Sequence, residues 1–142
     1  MQAERDIQKH RWTHDEYLQA FELGWFQNKR TELIEGEIIY MSAMNVLHFQ
    51  GVVKCDREMQ KIFTEDYFVS TQCPIHVSDF SDPEPDIAVI AGEPEDYKDA
   101  LPKTAALVIE IADTLLGYDR TEKASLYAKA GVQDFWIVNL ST

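Results

Sequence analysis

The spacing of apolar residues along the chain changes several times, and each change marks an element. Thr13 followed three residues on by Glu16 reads as a capping box, so a helix starts there, with Gly24 near its end. Residues 32–41 alternate apolar and polar around Glu35-Gly36, which predicts two strands joined by a tight turn. Over 46–63 the apolar positions Val46, Phe49, Val52, Val53, Met59, Ile62 and Phe63 follow mainly helical spacing, with Lys54, Arg57 and Lys61 on the polar face. Residues 67–69 and 72–77 read as strands, 78–84 as an acidic turn, and 86–91 as a central strand. The two prolines and several charges of 92–103 predict a loop with about one helical turn. A second central strand covers 107–111. A helix over 121–130 comes next, with Gly131 suited to the left-handed position after its end. The last strand, 135–138, places Phe135 and Trp136 in the core.

Two of these strands carry acids where strands of their kind carry none. Leu107-Val108-Ile109-Glu110-Ile111 is apolar on both faces, as expected of a strand covered on both sides. A carboxylate there is costly unless it meets a cation or a donor. Pro85-Asp86-Ile87-Ala88-Val89 repeats the pattern, and its proline donates no ladder hydrogen bond, which points to a strand mouth or an edge. Downstream, Asp119-Arg120-Thr121-Glu122-Lys123 opens a helix. Two carboxylates on neighbouring strands and one lysine form a set able to hold a hard divalent cation and assist a water. A plainer reading stands beside each residue. Asp86 forms a strand-end turn. Glu110 makes a structural ion pair with Arg120 or Lys123, or Lys123 is an ordinary surface lysine. Glu32, Glu35 and Glu37 face solvent, and His48 is structural. His10, His14 and His76 read only as solvated or packed polar groups.

Four stretches resemble one known family. They are Arg30-Thr31-Glu32-Leu33-Ile34-Glu35-Gly36-Glu37-Ile38, Pro83-Glu84-Pro85-Asp86-Ile87-Ala88-Val89, Leu107-Val108-Ile109-Glu110-Ile111, and the run from Tyr118-Asp119-Arg120-Thr121-Glu122-Lys123 to Phe135-Trp136-Ile137-Val138. In order and spacing they resemble the Uma2 family of restriction-endonuclease-like proteins, within the PD-(D/E)xK nuclease superfamily. The resemblance implies an α/β (α+β) fold with a restriction-endonuclease-like mixed β-sheet core flanked by helices. It implies a Mg²⁺-dependent (or Mn²⁺-dependent) endonuclease acting on DNA. Asp86, Glu110 and the carbonyl of Ile111 would be metal ligands, Lys123 would assist the attacking water, and Glu37 and His48 would be further site residues. Two departures stand out. The superfamily's simplest pattern has lysine two residues after the glutamate, where this chain has Ala112, so the role passes to Lys123 as in Uma2-like sequences. The segment 112–116 also lacks the serines common in the family. Two other functions stay open: a catalytically inactive interaction module on a nuclease fold, and a metal-dependent hydrolase of another substrate.

Composition narrows the field. The 142 residues predict one domain, and 45% apolar content suffices for a core. No apolar run reaches the roughly 18 residues of a membrane helix, and the polar stretch 1–11 excludes a secretory signal. Cys55 and Cys73 form no metal-ligand spacing, which fits a reduced, cytoplasmic chain. Thirteen basic residues against 25 acidic ones give a net charge of −12. That argues against a non-specific nucleic-acid coat, which needs a basic surface, but not against an acidic metal site. Members of the resembled family usually continue past the Trp136 strand with further strands, whereas this sequence stops at Thr142. Two expectations stay open, a naturally short domain lacking those strands or an edge covered by a partner chain. An uncovered edge would invite a homodimer.

Overall fold

The computed structural model describes residues 6–112 and 117–140, the side chains of 117–121 excepted. Helix α1 (His14–Glu22) begins at the anticipated capping box: the Glu16 N–H donates to Thr13 Oγ1 at 3.2 Å, and the Thr13 N–H donates to Glu16 Oε1 at 2.9 Å. Strands β1 (Thr31–Ile34) and β2 (Glu37–Tyr40) pair antiparallel around Glu35 and Gly36. Both turn residues have positive φ, 50° and 82°, as a two-residue hairpin of matching twist requires. Tyr17, Ala20, Phe26 and Leu33 bury one side of this N-terminal layer.

Helix α2 (Val46–Ile62) is capped by Asn45, whose side chain accepts from the His48 N–H at 2.8 Å. Its apolar positions divide. Val52 and Met59 are buried, whereas Val46, Phe49 and Ile62 face solvent. His48, Val52, Cys55 and Met59 fall at helical spacing on one face, and that face meets the main sheet.

Strand β3 (Tyr67–Thr71) is two residues longer than expected, and the strand anticipated at 72–77 does not form. Gln72 has φ 52° and turns the chain out of the ladder, and Pro74 has no N–H to give a ladder. The backbone there bonds to loops instead, Ile75 N–H to Pro83 O and His76 N–H to Pro102 O, each at 2.9 Å. Next come strand β4 (Ile87–Ala91), a short 3₁₀ turn (Pro94–Tyr97) and strand β5 (Leu107–Ala112). Helix α3 (Gly117–Lys129) starts four residues before the expected position. It closes with Val132 N–H on Tyr127 O and Gly131 at φ 84°, the glycine stop anticipated there. Strand β6 (Asp134–Asn139) completes a mixed four-stranded sheet in the order β3-β4-β5-β6. The first two pairings are antiparallel and β5–β6 is parallel.

The pleat sends alternate residues to opposite layers. Ile87, Val89, Leu107, Ile109 and Ile111 pack under α2, with Val52 and Met59. Ala88, Ile90 and Val108 pack on the other face, with Ile75 and Tyr127 of α3. The main sheet thus has a helix on each side, the mixed α+β architecture expected. Phe135 lies against Tyr127, with ring centroids 5.2 Å apart. Trp136, expected in the core, is 48% exposed, because β6 is an edge strand and its neighbouring residue faces the other way. Among the described residues no helix is long and apolar enough to cross a membrane.

Candidate active site

The ladder between β4 and β5 ends at the pair Ile87 and Ile109. One step further, the Ile111 N–H donates to Asp86 Oδ2 at 2.8 Å. The next backbone position on that side belongs to Pro85, so the Asp86 side chain supplies the acceptor for β5 that the strand itself no longer offers. This fixes Asp86 beside Glu110. Pleat parity puts Glu110 on the α3 face with Val108, where α3 presents Lys123 and Tyr127 one turn apart. Lys123 Nζ donates to Glu110 Oε1 at 3.2 Å, and the Tyr127 hydroxyl donates to the same oxygen at 3.2 Å.

A fourth element reaches the cluster from the hairpin. Glu32 of β1 accepts from Lys123 Nζ at 3.0 Å and from the Glu84 N–H at 2.8 Å, both through Oε1. From the α2 side, His48 Nε2 lies 3.1 Å from Asp86 Oδ1. That is an ion-pair distance without the alignment of a hydrogen bond, since the nitrogen finds no hydrogen-bond acceptor. Glu32, Asp86, Glu110 and Lys123 are all buried.

Negative charge exceeds positive charge among these four. Burial pushes the Glu110 carboxyl up to about 8; Asp86 and Glu32 push the same way, and Lys123 opposes them. Burial also raises the Tyr127 hydroxyl well above its ordinary value, with Glu110 adding to it. Glu84 is raised by burial against the pull of Arg30, whose Nε donates to it at 3.1 Å. Cys55, on the α2 side, is raised by burial and then by Asp86. The donor types suit a hard divalent cation, although their oxygens do not all stand within 4.8 Å of one another as a ready-made ligand set. Three buried carboxylates offer oxygen ligands, and their surplus charge is what such an ion would offset.

The structure thus brings Asp86, Glu110 and Lys123 together with His48. Ile111, expected to offer its carbonyl, meets the cluster through the N–H it gives to Asp86. Glu37 does not join: it is exposed at the first position of β2, and Glu32 stands in the cluster instead. The register explains the exchange. Glu32 pairs with Ile39 and Ile34 with Glu37, so both glutamates share one hairpin face, but Glu37 sits at the turn end, away from the sheet. The sequence pattern makes Glu32 solvent-facing; the uninterrupted burial of Thr31 to Ile34 shows β1 covered on both sides. Tyr127 is a second residue that the sequence reading misses, although its place four residues after Lys123 puts it on the same helix face. The Arg120 side chain and segment 113–116, with its missing serines, lie outside the described residues.

Two histidines without a functional signal in the sequence also converge. His14 Nδ1 lies 2.6 Å from Asp82 Oδ2, and His76 Nδ1 lies 2.7 Å from Asp82 Oδ1. A cavity of about 920 Å³ is lined by Asp82 of this group together with Tyr17, Phe21, Phe26, Arg30 and Glu84. Neither Asp86 nor Glu110 nor Lys123 lines it.

Solved structures of the same fold include one from a cyanobacterial protein. A crystal structure described as "a putative nuclease belonging to DUF820 from Anabaena variabilis ATCC 29413" aligns with a TM-score of 0.71 over 89% of this chain and 73% of that one, at 18% identity. Among curated proteins none matches. The sequence model of the Uma2 family, whose description reads "Putative restriction endonuclease", matches residues 15–142, nearly the whole length, and the chain belongs to that family.

Proposed function

We propose that the chain is a Mg²⁺-dependent (or Mn²⁺-dependent) endonuclease cutting DNA phosphodiesters at the Asp86–Glu110–Lys123 cluster. The observation that carries this reading is the burial, around a single lysine from α3, of carboxylates from β5, from the residue just before β4 and from β1 of the hairpin. A bound divalent ion would supply an activated water and offset charge on the phosphoryl oxygens. Asp86 and Glu110 would hold that ion, with Glu32 as a further oxygen donor. Asp86 is kept in place by the Ile111 N–H. Lys123, set between Glu32 and Glu110, would hold a water or phosphoryl oxygen brought to those acids. Tyr127 orients Glu110 through its hydroxyl. His48 would place a proton donor or acceptor beside Asp86 Oδ1.

The test is nicking of supercoiled plasmid with Mg²⁺ or Mn²⁺, alongside calorimetric titration of the ion. Asp86→Ala and Glu110→Ala should lose both nicking and ion binding. Lys123→Ala should lose nicking and keep ion binding. Wild-type nicking by Lys123→Ala would move the lysine's role to Lys129 or a partner. One observation favours a second reading. The net charge of −12 suits a protein-binding module on a nuclease fold better than a chain gripping duplex DNA alone. Ion binding without nicking of any nucleic acid would favour that module, or a hydrolase of another substrate.

A further inference from the structure

We infer a second metal site, distinct from the carboxylate cluster, formed by His14, His76 and Asp82 and selective for a borderline divalent transition cation such as Zn²⁺. One imidazole nitrogen from each histidine and a carboxylate oxygen of Asp82 all lie within 4.8 Å of one another. Ligands about 2.0–2.2 Å from one ion sit roughly 3.3 Å apart in a tetrahedral arrangement. The two nitrogen–oxygen separations are 2.6 and 2.7 Å, so the ion would take the place of the protons now shared there, after a small outward rotation of Asp82. The imidazole rings already stand together, with centroids 4.0 Å apart.

Each ligand is carried on tethered backbone. The His14 N–H donates to Asp79 O at 2.7 Å, the His76 N–H to Pro102 O at 2.9 Å, and the Asp82 N–H to Leu33 O at 2.7 Å. Such support lets His14 converge with His76 and Asp82, which are six residues apart, without ordering at the moment of binding. The chemistry selects the ion. Two imidazoles with one carboxylate suit Zn²⁺ and its neighbours, whereas Mg²⁺ prefers oxygen alone. Asp82 is 3% exposed and each histidine side chain 21%, so solvent can fill the position the protein leaves open. Bound there, the ion would staple the start of α1 to the segment leading into Pro83-Glu84-Pro85-Asp86, and so to the approach to the first site.

Co²⁺ is the direct probe, because its visible absorption is intense in four-coordinate nitrogen–oxygen sites and weak in octahedral oxygen sites. The full chain should bind one equivalent of Co²⁺ with intense bands that Zn²⁺ displaces. Those bands should vanish in His14→Gln and in His76→Gln, yet persist in His48→Gln, which alters only the histidine beside Asp86. Zn²⁺ affinity should fall more than about 100-fold in the first two variants, since even outer-shell changes cost about 10–100-fold. Zn²⁺ should raise the melting temperature of the wild type and leave that of His76→Gln unmoved. Circular dichroism of each variant separates lost binding from lost folding, and His14→Gln serves if His76→Gln fails to fold. Bands that survive both substitutions, disappear with His48→Gln, or never form would overturn the site and leave a hydrogen-bonded His–Asp–His group.

Discussion

Replacing Glu110 by Gln keeps the side chain's shape and removes its charge, and its effect on stability comes from the burial of the site. Folding raises this carboxyl from 4.5 to about 8, through burial first and then the charges of Asp86 and Glu32. The folded chain therefore keeps a proton that the unfolded chain has released, over the window from 4.5 to about 8. By linkage, the stabilisation is fully present below the unfolded value and is lost as pH rises through the folded one. One proton gives a slope of about 1.4 kcal/mol per pH unit, and the whole window amounts to roughly 4–5 kcal/mol. That is a large share of the roughly 5–15 kcal/mol that holds a domain together. Lys123 is not stranded by the substitution, because it also pairs with Glu32. Urea unfolding of metal-free wild type and Glu110→Gln, from about pH 5 to about pH 9, measures the effect, and subtracting the two curves cancels the histidines. The variant should gain on the wild type by about 4 kcal/mol across that range and then level off. A difference curve flat to within about 0.5 kcal/mol would refute the claim that Glu110 is a strained buried acid.

Lys123→Ala leaves two buried carboxylates short of a counter-charge and should destabilise the metal-free chain by about 3–5 kcal/mol in urea unfolding, well beyond the effect of Lys61→Ala on the surface of α2. Tyr127→Phe removes the hydroxyl that reaches Glu110 and should cost about 1–3 kcal/mol, with the larger loss above about pH 8 by the same assay. Gly51→Ala should destabilise by about 1–3 kcal/mol in thermal unfolding, because its Cβ would stand 2.9 Å from Ile111 Cγ2, the branched methyl of a buried strand residue. Thr13→Ala should lower stability by about 1 kcal/mol through loss of the capping box, with no change in ion binding at the carboxylate cluster.

The carboxylate cluster was legible where local cost made the sequence unusual. An acid inside Leu107–Ala112 has few inexpensive explanations, and the same holds for Asp86 after Pro85, so both could be read as candidate site residues from single runs. Lys123 needed the family pattern as well, since lysines are ordinary on helices. What stayed hidden was set by tertiary distance. Glu32 and Lys123 stand 91 residues apart, and nothing local tells which end of the hairpin reaches the sheet. Period alone gives the shared face of Glu32 and Glu37, and only the docking of β1 beside residue 84 chooses between them. The same limit explains the strand wrongly expected at 72–77. Its composition favours extension, but the left-handed turn at Gln72 and the proline behind it send that stretch to bond with loops.

Asp86 shows why a structural and a chemical reading of one residue need not compete. Its Oδ2 completes the hydrogen bonding of β5 through the Ile111 N–H, while Oδ1 faces His48. A strand-end turn former, the plainer reading, would need the first contact alone. The second carboxylate oxygen, turned toward a histidine from the opposite layer and near enough to Glu110 to raise it, has no part in the ladder. Asn in place of Asp86 would keep one oxygen acceptor for the Ile111 N–H and lose the charge. Asp86→Asn should therefore fold with near wild-type stability while losing Mg²⁺ binding. If Asp86→Asn instead unfolds as readily as Asp86→Ala and still binds Mg²⁺ when folded, the carboxylate is there for the strand and the ion sits elsewhere.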